Sequence, residues 1–170
     1  MHNLAEPMRS ALGSLARALN QAEVQWRLGG SAMLTAIGLG VDVGDLEVTV
    51  PADALEDVQN ACGPWVRQLM IGHAPPPWCS DWLAKMQVSG VDVDVIGGMC
   101  VVGAGGNVRV PDDVGQVVDV DGVSVPLADP AVWWWIYRAY KPAKAEMLAT
   151  VVTADQRREI ERRLGPPPKR

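Results

Sequence analysis

The fold of this chain is decided by the stretch Leu28-Gly29-Gly30-Ser31 and, after thirteen intervening residues, by Asp45-Leu46-Glu47-Val48. The first stretch joins an apolar run, Val24–Leu28, to a segment with helical spacing, Ser31–Leu39. Glycines let backbone N–H groups approach a ligand closely, and a helix N-terminus favours negative charge. The pattern predicts a strand-turn-helix unit that could hold phosphate, although taken alone it is more typical of a simple capped turn.

Acidic residues alternate with apolar ones on two predicted strands. Successive side chains of a strand point to opposite faces, so Asp45 and Glu47 share one face and Leu46 covers the other. Asp92 and Asp94 repeat the pattern within a run of alternating valines. If the two strands are neighbours, these like charges repel one another, and a divalent cation such as Mg²⁺ is their natural partner. The alternative is that the acids only solvate exposed strand faces.

The remaining sequence alternates helical and extended patterns, which predicts one domain of the α/β (α+β) class. A hairpin is indicated at Ser89-Gly90 and a second at Asp121-Gly122. We expect a stiff loop at Ala74–Pro77 and a glycine-rich connection at Gly97–Gly106. The other predicted elements are helices at 4–21, 31–39, 53–62 (capped by Asp53), 129 onward and 153–164, and strands at 24–28, 45–50, 65–71, 82–88, 91–96, 117–120 and 123–126.

The change from extended to helical period near Asp129 divides the predicted domain into parts. Residues 1–128 are expected to form the α/β core, and residues 129–164 are expected to form helices packed on it. Residues 165–170, a polar proline-rich tail, are expected to be disordered. One side of the helix predicted from residue 129 carries Trp133, Tyr137 and Tyr140, and packing against the core is the simplest explanation for it. Trp134 and Trp135 point to other sides of the helix, where packing is favoured over an oligomer contact, and an oligomer contact over a stacked base.

Composition limits the classes of function. The chain has 170 residues, 48% of them apolar, and a formal charge of −5, which argues against a uniformly basic surface for nucleic acid. Three cysteines without a Cys-x-x-Cys pair make a disulfide framework unexpected and favour a reducing compartment. Two histidines nearly exclude a multi-histidine zinc centre. No signal-peptide core or membrane-spanning stretch is present, so we expect a cytoplasmic protein without membrane association.

The spacing of Gly30-Ser31 and Asp45–Val48, followed by an acid on a later strand, resembles the signature of the polymerase-beta-like nucleotidyltransferase superfamily. The resemblance runs from Val24 to Ile96. In size the chain is similar to compact bacterial members: minimal nucleotidyltransferases, abortive-infection-type toxins and antibiotic adenylyltransferases. The resemblance implies a nucleotidyltransferase-like mixed sheet flanked by helices, with a small helical C-terminal portion.

The resemblance also implies roles for particular residues. The triphosphate would be held by Gly29, Gly30 and Ser31. One or two Mg²⁺ ions would be ligated by Asp45, Glu47 and Asp94, and Asp94 would also help to activate the acceptor hydroxyl. Asp92 is the rival for this third position, but Asp94 is followed by two apolar residues, as in the family. Basic residues of the helical part commonly face the phosphates, and the candidates here are Arg138, Lys141 and Lys144, which are otherwise solvated helix charges.

The implied activity is metal-dependent transfer of a nucleoside monophosphate from a nucleoside triphosphate, with ATP expected, to a hydroxyl acceptor. The acceptor is left open among a small molecule, a tRNA and a protein, and a partner protein or a homodimer is compatible with the sequence. No lysine or arginine lies between Arg27 and Arg67, where many relatives carry a basic or hydroxyl residue. This departure favours the alternative of a weak or inactive nucleotidyltransferase-like binding module, such as one half of a toxin–antitoxin pair.

A dinucleotide-binding enzyme is a weaker alternative. Val101–Gly106 resembles the start of a Rossmann fingerprint. However, Val108 occupies the place of the third glycine, and the following residues predict strand or loop in place of the required helix.

Overall fold

A seven-stranded mixed sheet forms the centre of the molecule. The computed structural model describes residues 4–72, 77–103 and 106–167. In chain order its elements are α1 (Met8–Gln21), β1 (Arg27–Leu28), α2 (Gly30–Ala36), β2 (Leu46–Val50), α3 (Leu55–Cys62), β3 (Val66–Ile71), β4 (Trp82–Val88), β5 (Val91–Gly97), β6 (Cys100–Gly103), β7 (Gly106–Arg109), β8 (Val114–Val120), β9 (Val123–Ala128), α4 (Pro130–Tyr140), α5 (Pro142–Leu148) and α6 (Ala154–Leu164). The strands of the main sheet follow the spatial order β3-β4-β5-β2-β1-β9-β8. The expected α/β (α+β) class, with a mixed sheet flanked by helices, is confirmed.

The central strand is β2, which runs parallel to β5 and antiparallel to β1. Its apolar residues Leu46, Val48 and Val50 are fully buried, as the alternating pattern predicts. Helix α1 packs against α3 and against strands β4, β8 and β9. Within the described ranges, no helix is long and apolar enough to cross a membrane.

Both predicted hairpins are present. Strands β4 and β5 are joined at Ser89-Gly90, and strands β8 and β9 are joined at Asp121-Gly122. In each turn both residues have positive φ, from 51° to 81°. This backbone matches the twist of the flanking strands, which is why a glycine at the second turn position favours the hairpin. The first hairpin matters for the site, because it sets which residues of β4 and β5 lie opposite one another.

Helix α4 begins as its sequence predicts and brings three tryptophans into the interior. Asp129 caps the helix by accepting a hydrogen bond from the Ala131 backbone N–H at 2.8 Å. Trp133, Trp134 and Trp135 are all buried in one core. Packing, the favoured role of the last two, is therefore confirmed, whereas the expectation that they lie apart from the core of Trp133 is wrong. The reason is that α4 is covered on several sides.

Different neighbours bury each of the last two tryptophans. Trp134 lies beneath the guanidinium groups of Arg138 and Arg157. The Trp135 indole donates a hydrogen bond to the Gly165 carbonyl oxygen at 2.9 Å. The beginning of the C-terminal tail is therefore tied to α4, while residues 168–170 of the expected disordered segment lie outside the described part of the chain.

Two local expectations fail. Asp53 does not cap a helix: it lies within a short 3₁₀ turn, Ala52–Ala54, and α3 begins after that turn without a side-chain cap. The glycine-rich connection contains strands β6 and β7, which pair antiparallel as a separate small sheet. Since β6 is paired with a strand and not followed by a helix, the Rossmann alternative is excluded. Of the expected proline loop, only Pro77 is described.

The structure contains one disulfide bond, between Cys79 and Cys100, contrary to the expectation from the cysteine count. The Cys79 backbone N–H donates to the Cys100 carbonyl oxygen at 2.8 Å, and the two Cα atoms are 4.8 Å apart. This separation suits a disulfide. The backbone pairing of residues 79 and 100 brings the two cysteines together, and their spacing in the sequence does not predict this pairing. Cys62 is a free, buried thiol.

We expect Gly97→Ala to destabilise the protein by about 1–3 kcal/mol, the usual cost of overpacking a core. A Cβ atom at this position would lie 1.9 Å from the Trp82 ring. Gly40→Ala is the matched control, because a Cβ atom there meets nothing within 4 Å. Urea unfolding curves would measure both variants, and equal stability of the two would contradict this packing analysis.

Candidate active site

The parallel pairing of β2 with β5 brings the two acidic strands together, as the sequence analysis required. Glu47 lies directly opposite Asp94 in the register of the two strands. Asp45 precedes the first residue of β2 and is exposed, whereas Glu47 is half-buried. Glu47 and Asp94 therefore lie on adjacent strands of one sheet, and Asp45 lies immediately before the first of these strands.

The surroundings of Glu47 raise the pKa of its carboxyl group. Burial raises its pKa, and the neighbouring negative charges of Asp45 and Asp94 raise it further. The ammonium groups of Lys141 and Lys144 act in the opposite direction. Two of the predicted basic residues are thus close enough to influence the central carboxylate.

Gly30 makes room for the Glu47 carboxylate. Its φ is +60°, a conformation that L side chains rarely adopt, and a Cβ atom would lie 1.8 Å from Glu47 Oε2. Gly29 is equally confined, because its Cβ atom would lie 2.1 Å from the Trp133 ring. Both glycines are therefore required by close packing, independently of any phosphate.

Ser31 and Lys144 connect α2 to α5. Lys144 Nζ donates a hydrogen bond to Ser31 Oγ at 2.5 Å, and Ser31 is buried. Burial lowers the pKa of Lys144, and the nearby positive charge of Lys141 lowers it further, while Glu47 and Asp45 raise it. The structure thus places Lys144 at the glycine-serine turn, while Lys141 remains exposed beside it.

Tyr137 belongs to the same cluster, although its sequence pattern indicated only packing. The ammonium groups of Lys141 and Lys144 lie 5.7 Å and 5.6 Å from the centre of its ring. Its hydroxyl group is buried and has no hydrogen-bond partner among the described residues. Burial raises the Tyr137 pKa, and the charges of Glu47 and Asp45 add to that effect. Tyr137 therefore belongs to the buried surroundings of the carboxylates, and its hydroxyl group is closed to solvent.

Lys85 is the second residue that the sequence analysis missed. It lies opposite Asp94 in the β4–β5 ladder, and its Nζ is 3.1 Å from each Asp94 carboxylate oxygen. Counting residues along both strands from the Ser89-Gly90 turn pairs Lys85 with Asp94. Asp92, the rival third acid, lies opposite Gln87 and is exposed. Asp94, and not Asp92, therefore faces Glu47 across the strands.

The carboxylates of this face offer few possible ligands for a metal ion. Among the residues that the structure describes, no three histidine, cysteine, aspartate or glutamate side chains come together closely enough to hold a metal ion. Mg²⁺ is commonly held by one or two carboxylates together with water and substrate phosphate. The Asp45–Glu47 pair fits that requirement, whereas both oxygens of Asp94 are engaged by Lys85.

Two cavities meet at the Lys85–Asp94 pair. The larger, about 570 Å³, is also lined by Gly44, Asp45, Arg67, Gln68, Met86, Gln87 and Asp92. The smaller, about 200 Å³, is also lined by Glu47, Met70, Trp78, Ser80, Leu83 and Ile96. The first is largely polar and charged, and the second has mainly apolar and aromatic walls, so the site offers two chemically different compartments.

Solved structures that resemble this chain share a nucleotidyltransferase architecture, and the chain has the polymerase-beta-like nucleotidyltransferase-type fold. This confirms the fold implied by its glycine-serine and acid-hydrophobic-acid motifs. No protein-family model matches the sequence, and no curated protein sequence matches it significantly.

The individual likenesses cover nearly the whole chain. A Thermotoga maritima protein, proposed to be a nucleotidyltransferase, has a TM-score of 0.68 at 17% identity, over 95% of this chain and 98% of its own. The antibiotic-resistance factor ANT(2'')-Ia has a TM-score of 0.60 in its solution structure, at 13% identity over 91% of each chain. Its crystal structure with adenylyl-2''-tobramycin gives 0.56 at 13% identity, over 91% of this chain and 97% of its own.

We expect Glu47→Gln to raise the free energy of unfolding of the metal-free protein at neutral pH. Because the Glu47 pKa is raised, the folded protein binds the Glu47 proton more tightly than the unfolded chain does. The stability of the wild type therefore falls as the pH rises from the ordinary glutamate pKa through the raised pKa of Glu47. Glutamine does not ionise, so the gain should be present at neutral pH and vanish below about pH 4.

Thermal unfolding at several pH values would measure this effect, where a gain of about 1 kcal/mol corresponds to about 2–4 °C in a domain of this size. Glu56→Gln, at an exposed position of α3, is the matched control. A gain for Glu47→Gln that is larger at acidic than at neutral pH would contradict the assignment.

Proposed function

We propose that this protein transfers a nucleoside monophosphate from a nucleoside triphosphate, with ATP the expected donor, to a hydroxyl acceptor. One observation carries the proposal: Glu47 lies against Gly30, opposite Asp94 and within the electrostatic influence of Lys141 and Lys144. One face of the sheet thus carries both carboxylates, which would bind a cation, and ammonium groups, which would bind phosphate. The nucleotidyltransferase-type fold supports the same conclusion.

In the proposed complex, Ser31, Lys141 and Lys144 bind the triphosphate. The two lysines supply the positive charge that the segment between Arg27 and Arg67 lacks. Arg27 itself is buried and paired with Asp112 at 2.6 Å, so it is not available to a phosphate. Since Lys144 already contacts Ser31, a phosphate oxygen that accepts hydrogen bonds from both would fit between α2 and α5.

Asp45 and Glu47 are proposed to hold one Mg²⁺ ion, with Mn²⁺ as a substitute. When bound, such an ion neutralises phosphate charge as it develops during transfer. Asp94 is proposed to accept the proton of the acceptor hydroxyl. The acceptor oxygen then bonds to the α-phosphorus, the bond from the α-phosphorus to the bridging oxygen breaks, and pyrophosphate leaves with that oxygen.

The acceptor is proposed to be a small molecule, a tRNA or a protein hydroxyl. The crystal structure of ANT(2'')-Ia contains adenylyl-2''-tobramycin, which supports a small hydroxyl-bearing acceptor for a chain of this fold. The cavity with aromatic and apolar walls beside Asp94, about 200 Å³ in volume, is the proposed place for the hydroxyl-bearing group of the acceptor.

A second candidate function is a nucleotidyltransferase-like module that binds a partner protein or a nucleotide without transfer, as in a toxin–antitoxin pair. The engagement of Asp94 by Lys85 favours it, because the third acid is not free in this conformation. Calorimetric titration with ATP and Mg²⁺, together with transfer of label from an α-labelled nucleotide, distinguishes the two functions. Magnesium-dependent binding and transfer that Asp45→Asn removes support the enzyme. Binding without transfer supports a nucleotide-binding module, and a folded protein that binds no nucleotide supports a protein-binding module.

We expect Asp45→Asn and Glu47→Gln each to reduce transfer by about 10²–10³-fold, a loss typical for one group that stabilises charge in the transition state. The measurement is transfer of label from α-labelled nucleoside triphosphates. Asp42→Asn is the matched control, since it removes an exposed carboxylate three residues from Asp45. Wild-type turnover in either active-site variant would show that the metal-site assignment is wrong.

We expect Lys144→Gln to weaken ATP binding by about 10–100-fold, since a charge-assisted hydrogen bond contributes about 1.5–3 kcal/mol. Arg17→Gln removes the same charge from an exposed position of α1 and should leave affinity unchanged. Calorimetry with a non-hydrolysable ATP analogue measures both variants. Equal affinities would place the triphosphate away from the α2–α5 contact.

A further inference from the structure

Lys85 distinguishes this site from a cluster of acids alone. Its ammonium group contacts both carboxylate oxygens of Asp94 at 3.1 Å, and Glu47 lies opposite Asp94 on the other neighbouring strand. Asp94 therefore lies between one carboxylate and one ammonium group. Lys85 of β4 thus places a positive charge beside Asp94.

The strand register fixes this pair. The β4–β5 ladder runs from the turn at Val88 and Val91 to Trp82 and Gly97 without a register shift. Residues that face one another in such a ladder have Cβ atoms about 4.5–5.5 Å apart, so their side chains lie within reach of one another. Lys85 is 47% exposed and Asp94 is 28% exposed, so the pair borders the solvent and can meet a substrate.

A second divalent ion would compete with this ammonium group. In a two-ion transfer site the cations lie about 3.5–4 Å apart, so the third acid needs an oxygen free to bind one of them. Both Asp94 oxygens already accept hydrogen bonds from Lys85. A divalent ion placed there would be repelled by the lysine charge, and lysine itself is a compact cation with three donors.

We infer that Lys85 takes the place of a second metal ion, so that the site binds a single divalent cation at Asp45 and Glu47. This inference rests on the proposed nucleotidyl transfer and specifies how many cations it uses. Lys85 and Asp94 line both cavities, so they stand where a nucleotide and an acceptor would meet. Lys85 is thus a positioning residue: it orients Asp94 toward the acceptor hydroxyl.

Counting bound Mn²⁺ ions tests this inference without relying on turnover. Mn²⁺ accepts the same oxygen ligands as Mg²⁺. It is titrated into the full chain with an ATP analogue that carries a methylene group between the α- and β-phosphorus atoms, and free Mn²⁺ is followed by electron paramagnetic resonance. We expect about one ion per chain in the wild type, about two in Lys85→Met, and about one in Lys85→Arg, which keeps the charge.

Two controls isolate the Lys85–Asp94 contact. The double variant Lys85→Met/Asp94→Asn should return to one ion, because the freed ligand is lost. Arg67→Met removes a positive charge from the wall of the larger cavity without freeing Asp94, and it should stay at one ion. Thermal melting verifies that each variant is folded, and Lys85→Gln replaces Lys85→Met if the latter is not.

The possible outcomes separate this inference from the function on which it rests. Two ions in the wild type, or a single ion in folded Lys85→Met or Lys85→Gln, would overturn the inference alone. No bound ion in the wild type would overturn the proposed metal-dependent transfer as well. One ion in the wild type and two in Lys85→Met would support both.

Discussion

The parallel pairing of β2 with β5 is the constraint on which the site depends. It places Glu47 opposite Asp94, although 46 residues separate the two in sequence, and it leaves Asp45 at the exposed beginning of β2. The apolar residues between these acids are buried on the other face. A slip of one residue would bury the acids and expose the apolar side chains, so the hydrophobic core itself enforces the arrangement of the charges.

A second level of organisation comes from the C-terminal helices, which surround the charged face with groups of the opposite sign. Helix α4 packs Trp133 against Gly29 and carries Tyr137 toward the carboxylates, while α5 delivers Lys144 to Ser31. Burial of Glu47 would be costly among like charges alone. The two lysines lower that cost, and they link the packing of the helices to the electrostatics of the sheet.

The class of fold, the two hairpins and the start of α4 could be predicted from the sequence, because each depends on local periodicity or on turn residues. The proximity of the acidic strands was a condition that the strand pairing then met. The sequence did not reveal that Trp134 and Trp135 share one core with Trp133, that Cys79 bonds to Cys100 or that β6 pairs with β7, since these depend on which distant segments meet. Lys85 could be predicted only in part: the hairpin register identifies Asp94 as its partner, but a single lysine in a strand does not by itself indicate a functional residue. The cytoplasmic location, the acceptor and a toxin–antitoxin context stay predictions.

The glycine pair has a practical meaning for anyone who redesigns this protein. Position 29 is filled by an indole ring and position 30 by a carboxylate, so neither tolerates even a methyl group without a shift of its neighbour. A randomised library that varies this turn would mostly return variants whose aromatic interior or central acid has moved. Diversity aimed at new acceptors belongs on the cavity walls of β3 and β4, where side chains can change while the turn keeps its shape.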